Sequence, residues 1–413
     1  MRKGFYYGWV IVATSFVTLT TYGVFYSQGL FFEPLMTHFQ WSRAEVSLAF
    51  TIYMATYTSA ALPMGWLYDH YGPRPPLMIA SILVGGGIAL CSQVTALWQL
   101  YLLFGVVAGV GFGAIYPVPV ATVVKWFLKR RGMAVGIVTS GGGVGMFVMP
   151  HITEPLISSY SWQAAFMVIG LMFMVLIGVS ALAMKDVPKG SNYVIGVVSQ
   201  PEDTEAVPTG TPHGKDMTPR QALRDRAFWM FYLAFIFAVA ADRMASLEVI
   251  DYGRSIGLPR AGAAGALGFM GLGSIGGRLF IGTLSDRLGR RATLTMCFAL
   301  QGLALLAVPS VGGAAMLSAT MCILGLAYGG FVALYGPIVG EAFGLTHLGK
   351  ILGLSFTNGI WAAILGPLVL GGYLVDITGG YQWSFILGGV SCGIAAVLTF
   401  AARPTTTTLP EGG

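Results

Sequence analysis

Arg278 is the residue with the most to explain. It lies in Ser274-Ile275-Gly276-Gly277-Arg278-Leu279-Phe280, eight positions before Asp286, in an otherwise apolar stretch. On a membrane helix, eight residues at about 1.5 Å each set the guanidinium ~12 Å below the surface. A charge at that depth costs a few kcal/mol unless it faces an aqueous cavity or a partner. The planar fork of a guanidinium fits a carboxylate in two-point contact. Arg278 is therefore either an anion-binding group or half of a structural ion pair.

Asp242 and Arg243 are adjacent, near the middle or outer half of another apolar stretch. Neighbours on a helix point about 100° apart, so each needs its own partner. Asp242 is a candidate proton carrier, because a carboxyl in low dielectric can cycle between its charged and neutral forms. The alternative is a fixed salt link to Arg243 or to a basic residue opposite. Glu248 and Asp251 lie nearer the outer surface and gate or solvate it. His151 and Glu154, three apart, offer a proton relay or one interhelix hydrogen bond. Gly109-x-Gly111-x-Gly113 and Gly141-Gly142-Gly143-x-Gly145 lie within apolar stretches with no strand before them. They point to close helix packing rather than phosphate binding. Cys91, Cys297, Cys322 and Cys392 form no CxxC pair. No metal site, cofactor motif, nucleophile elbow or Walker sequence is found, so an enzyme is not expected.

The elements that must position these groups follow from composition. Of 413 residues, 55% are hydrophobic and only 10% charged. A soluble domain carries about 25% charge, so this chain cannot cover a water-facing surface. Its 58 glycines suit helices packed closely in lipid. The net charge of +6 fits basic loops on one side of a bilayer, and no basic run interleaved with aromatics suggests nucleic acid.

Stretches of about 20 apolar residues mark spanning helices. Twelve are expected, near 8–32, 45–68, 76–95, 98–124, 133–157, 163–184, 227–250, 262–284, 292–311, 315–339, 350–375 and 382–402. The first follows Met1-Arg2-Lys3 and is too long for a signal peptide. Residues 185–226 are polar and rich in Pro, Gly and Thr, a linker with little expected fixed structure. The division is then 1–184, a six-helix bundle; 185–226, linker; 227–403, a second six-helix bundle; and 404–413, a tail. Most of the 23 lysines and arginines fall on one side of this arrangement, with only Arg43, Arg254 and Arg260 on the other. The bias places both termini and the linker in the cytoplasm.

The halves repeat. Gly65-x-x-x-Asp69-x-x-Gly72-x-Arg74 recurs as Gly282-x-x-x-Asp286-x-x-Gly289-x-Arg291, 217 positions later. Gly109, Gly113 and Phe127 recur as Gly325, Gly329 and Phe343, and Tyr160-x-Trp162 as Tyr381-x-Trp383. The fold class is all-α: twelve transmembrane helices in two pseudo-symmetric bundles around a midplane site.

The sequence Gly282-Thr-Leu-Ser-Asp286-Arg287-Leu-Gly289-Arg290-Arg291 resembles the loop signature of major facilitator superfamily transporters. Its first copy has His70 where Arg or Lys is usual. In both copies glycine permits close helix approach, and the aspartate caps a neighbouring helix or pairs with basic residues across the bundle. Tyr7-Gly8-Trp9-Val10, Trp126-Phe127 with Lys129-Arg130-Arg131-Gly132, Gly277-Arg278-Leu279 and Asp376-x-Thr378-Gly379 with Tyr381 are similar to the monocarboxylate porter and oxalate–formate antiporter branch.

That resemblance implies a helix 8 arginine, here Arg278, that binds the substrate carboxylate. The acidic residue often four before it is replaced by Ser274, and the helix 1 lysine of animal porters falls near Tyr26. Helix 11 lacks the second cation of the antiporter. One buried cation suits a monocarboxylate such as lactate or pyruvate. Helices 1, 4, 7 and 10 usually line the superfamily's cavity, which makes Tyr22, Tyr26, Tyr116, Tyr328, Phe331 and Tyr335 candidate contacts, with Asn358 on helix 11. The expected function is proton-coupled symport of small monocarboxylates by alternating access. Anion exchange and a non-transporting carboxylate receptor are the alternatives. The expected partners are the carboxylate, protons and the bilayer of a prokaryotic cell membrane.

Overall fold

The computed structural model describes residues 7–27, 29–127, 130–186 and 216–402, and among these it is helical with no strand. Twelve rods are seen. The first, α1, runs Gly8–Thr20 and continues through Thr21–Gly23, Val24–Ser27 and Gly29–Phe39. The others in the first half are α2 (Arg43–Tyr71), α3 (Arg74–Gln93), α4 (Leu97–Trp126), α5 (Arg131–Ser159) and α6 (Trp162–Ala183). The second half has α7 (Arg226–Ser255), α8 (Arg260–Leu288), α9 (Arg290–Ser310), α10 (Ala314–Phe343), α11 (Leu348–Gly371) and α12 (Gln382–Ala401). Nine are long and apolar enough to cross a membrane by that measure alone. The helices α2 and α7, of 29 and 30 residues, are long enough but more polar, and α7 carries Asp242 and Arg243.

Helix starts obey local chemistry. Ser42 and Glu45 form a reciprocal capping box at α2, and Ser161 accepts the Ala164 amide at α6. Gly72 (φ +78°) and Gly289 (φ +86°) end α2 and α8 in a backbone conformation that L side chains resist, so the next helix turns back at once. In α4 helix gives way to turn at 113–116, just before Pro117 and Pro119, where ring geometry removes the donors a continuous helix needs.

The linker differs from expectation at its end. Residues 187–215 and 403–413 lie outside the described residues, but 216–226 are folded. Thr218 and Gln221 form a capping box on the short helix Pro219–Arg224. The Met217 amide donates to the Phe343 carbonyl at 2.9 Å. Asp216 accepts from the Leu345 and Thr346 amides at 2.8 and 3.3 Å and from the Thr346 hydroxyl. Partial burial raises that carboxyl's proton affinity, but these hydrogen bonds outweigh it and hold Asp216 below its ordinary value. A polar composition was read as loop, whereas local caps and the α10–α11 turn give it partners.

Candidate functional site

The two bundles meet along α2–α11, α5–α8 and α4–α10. At the face where Tyr7 and Ala402 lie, here the basic face, both repeat copies do the same thing. Asp69 at the end of α2 accepts the Gly349 and Lys350 amides at 3.0 and 2.8 Å, capping α11 of the other bundle. Asp286 at the end of α8 accepts the Gly132 and Met133 amides at 2.9 and 3.0 Å, capping α5. A carboxylate at a helix N-terminus satisfies orphan donors and meets the positive end of the dipole. Gly65 makes the approach possible, since a Cβ there would lie 2.0 Å from the Gly349 carbonyl oxygen. Of the two readings left open for the aspartates, capping is the contact that joins the bundles, and the pairing seen is local. Asp286 also pairs with Arg290 at 3.2 Å, and Arg290 reaches Glu341 at 2.9 Å. Arg74 and Arg291 tie their own bundles instead, donating to the carbonyls of Met184 and Thr399 at 2.8 and 3.1 Å. Arg287 is exposed.

Deeper between the bundles lies Arg278, only 6% exposed. Its Nε and Nη1 have no hydrogen-bond partner among the described residues. The Tyr328 ring stands 5.8 Å from its guanidinium carbon, a cation–π arrangement. Ser274, one turn earlier, is buried. Across the interface, Gly143 of α5 faces Nη1. Asp242 is also buried, and its Oδ1 has no hydrogen-bond partner among the described residues. It lies within electrostatic reach of both Arg243 and Arg278.

At about the depth of Arg278 lies an aromatic cluster that joins the bundles. Tyr116 donates its hydroxyl to the Val332 carbonyl of α10 at 2.8 Å, a bond between bundles. Its ring packs 4.7 Å from Phe356, which also meets Tyr335 at 5.6 Å and Tyr57 at 6.0 Å. Asn358 donates to the Tyr335 hydroxyl at 3.1 Å. Arg278, Ser274, Tyr328, Tyr116, Tyr335 and Asn358 are thus brought into one region spanning both bundles.

The other expected residues stand behind these or go elsewhere. Phe331 packs inside the second bundle with Phe235 and Phe298, ring centres 5.9 and 5.4 Å away, and backs Tyr328 at 5.2 Å. Tyr22 joins an aromatic cluster with Phe25, Tyr57 and Phe112. The side chain of Tyr26 lies outside the described residues. His151 is exposed and its Nδ1 lies 2.7 Å from the Phe147 carbonyl of its own helix rather than at Glu154. Glu154 lines a cleft of about 730 Å³ at the opposite face, with Glu33, His38 and Trp162. Asp251 pairs with exposed Arg254 at 3.8 Å.

Three participants escaped the sequence reading. Tyr57 was legible as an i, i+4 partner of Tyr53. Phe356 lies two residues before Asn358 on helix 11, and an aromatic on an apolar helix carries no mark of which face meets the other half. Gly143 gave no signal distinguishing it from its glycine neighbours.

A model of the Major Facilitator Superfamily matches residues 14–314 and 244–412. The chain belongs to this superfamily. Its fold and family are those of membrane transporters. Among curated proteins it is similar to monocarboxylate transporter 12 of Rattus norvegicus, 28% identical over 417 residues, covering 96% of this chain and 85% of that one. It is also 28% identical over 388 residues to the oxalate:formate antiporter of Oxalobacter formigenes, covering 92% and 87%. Among solved structures the fucose:proton symporter of E. coli superposes with a TM-score of 0.72 at 14% identity, covering 97% of this chain and all of that one. A bacterial homologue of the iron transporter ferroportin, in an outward-facing state, gives 0.69 at 14% identity. The transporter thus has the fold of the superfamily and the sequence likeness of its monocarboxylate and oxalate–formate branch.

Proposed function

We propose that the transporter is a proton-coupled symporter of small monocarboxylates, lactate or pyruvate among them, working by alternating access in a cell membrane. The observation that carries this reading is the guanidinium of Arg278, buried between the bundles with Nε and Nη1 unbonded among the described residues. Leaving charged donors buried and unbonded is costly, and a carboxylate supplies the two acceptors that remove the cost. The printed names of the relatives, a monocarboxylate transporter and an oxalate:formate antiporter, fit a carboxylate cargo.

The conformation in hand is closed at the basic face, through Asp69, Asp286 and Tyr116. With that face cytoplasmic, as the positive-inside bias favours, the site loads from outside. The carboxylate docks on Arg278 in two-point contact, and Tyr328 flanks the guanidinium. A proton enters with it, on Asp242 or on the acid itself. Binding satisfies the buried cation, so the filled site tolerates enclosure better than the empty one. The bundles then rock, the caps at α5 and α11 release, and the acid leaves on the other side.

Lactate uptake into proteoliposomes, with pH gradient and membrane potential set separately, tests this. A proton and a monovalent anion together move no net charge, so uptake should follow the pH gradient and ignore potential. Uptake driven by potential and indifferent to pH rejects symport. Arg278→Ala should abolish saturable uptake, and near-normal transport would reject the site. Exchange of the oxalate–formate type would instead require preloaded counter-substrate.

A further inference from the structure

We infer that Gly143, on the bundle opposite Arg278, is a positioning residue that seats the guanidinium for its carboxylate. This inference rests on the transport reading above. The run Gly141-Gly142-Gly143-Val144-Gly145 reads as uniform packing, yet its members meet different surroundings. Gly141 and Gly145, one turn apart, share a face. A Cβ on them would lie 2.3 Å from the Phe16 carbonyl oxygen and 2.0 Å from that of Thr20, both backbone of α1. That contact cannot yield without moving a helix. Gly142 has room, its nearest neighbours being Arg278 Nη1 at 3.7 Å and the Leu19 carbonyl at 3.9 Å.

Gly143 points to α8. A Cβ there would lie 2.9 Å from Arg278 Nη1 and 2.7 Å from Ile275 Cγ1. What it would strike is side chain, and one of the two is the tip of a flexible, 94%-buried arginine that no hydrogen bond fixes at Nε or Nη1 among the described residues. Shape therefore decides where this guanidinium rests, with the Tyr328 ring beside it and the bare α5 backbone at Gly143 against Nη1. Two-point recognition weakens steeply as N–H directions stray. A methyl at 143 turns the fork away from its ligand without dismantling the bundle. Because the two residues belong to opposite bundles, the seat exists only while α5 and α8 keep this register.

The test is labelled-lactate uptake by the full-length protein in proteoliposomes over a range of concentrations, with lactate-induced thermal stabilisation as a second readout. A misplacement near 1 Å costs ~100-fold, so the ~0.5 Å needed to ease the 2.9 Å contact in Gly143→Ala should raise KM by about tenfold while Vmax stays within about twofold. Gly142→Ala should raise KM far less. Gly141→Ala and Gly145→Ala should lower thermal stability before they alter KM. In an Arg278→Lys background, where no fork exists to be turned, Gly143→Ala should change KM little.

Gly143→Ala/Ile275→Ala removes the aliphatic clash and keeps the guanidinium clash, so it also serves if the single variant fails to fold. A KM still raised in that pair supports the seat; a KM restored to wild type assigns the effect to Ile275 and overturns it. An unchanged KM in Gly143→Ala, with Arg278→Ala inactive, overturns this inference alone. Normal uptake by Arg278→Ala overturns the underlying site reading as well.

Discussion

Replacing Asp286 with asparagine should open the basic face, and the size of the effect can be worked out from its contacts. The carboxylate takes the Gly132 and Met133 amides at 2.9 and 3.0 Å and Arg290 at 3.2 Å. Hydrogen bonds to a charged group contribute about 1.5–3 kcal/mol and neutral ones about 0.5–1.5, so each amide contact loses roughly 1 kcal/mol. Asparagine has one acceptor oxygen, so one of the two amides must face an NH2 group. The pair with Arg290 is made four residues away within the same bundle, so it is present whether the face is closed or open and leaves the ratio unchanged. The loss is then ~2 kcal/mol, a shift of about 30-fold in the closed-to-open ratio at 1.4 kcal/mol per decade.

Asp69 has the two amides but no arginine within ion-pair distance among the described residues. Asp69→Asn loses the same number of contacts between bundles and should shift the ratio by a similar amount, roughly 30-fold on the same scale. The assay is maleimide labelling of a cysteine placed at Val120, which packs on Gly336 across the bundles, in a background without Cys91, Cys297, Cys322 and Cys392. Labelling from the basic face should rise above wild type in both Asp69→Asn and Asp286→Asn, by similar factors. Labelling that stays at wild-type level in either variant would refute the reasoning.

Tyr116→Phe deletes the hydroxyl bond to Val332 and leaves the ring packing intact. It should loosen the closed state by ~1 kcal/mol, read as about a fivefold rise in the same labelling. Asp216 titrates below its ordinary value in the folded protein. Its contribution is therefore present above about pH 4 and lost as pH falls through the depressed value. The extra hydrogen-exchange protection of the Leu345 and Thr346 amides in wild type over Asp216→Asn should persist at neutral pH and vanish in strong acid. A difference that survives at all pH values would exclude the carboxylate as its source.

Composition and spacing alone dictate the architecture. Charge scarcity demands lipid, helix length follows bilayer thickness, and duplicated glycine–aspartate signatures demand two bundles. The sequence also singled out Arg278, because a guanidinium amid apolar residues has few places to be. What the sequence left open were the choices made by contacts between distant segments. Whether Asp69 and Asp286 cap or pair was settled by which helix start lies opposite each. Tyr22 and Phe331 carry the same aromatic signal as Tyr116 and Tyr335, yet pack within single bundles because side-chain type does not encode which face of a helix meets the other half. The four glycines of the 141–145 run in α5 read alike, and only the approach of α1 on one face and Arg278 on the other divides them. Helical periodicity fixes which residues share a face; the packing of the bundles decides what that face meets.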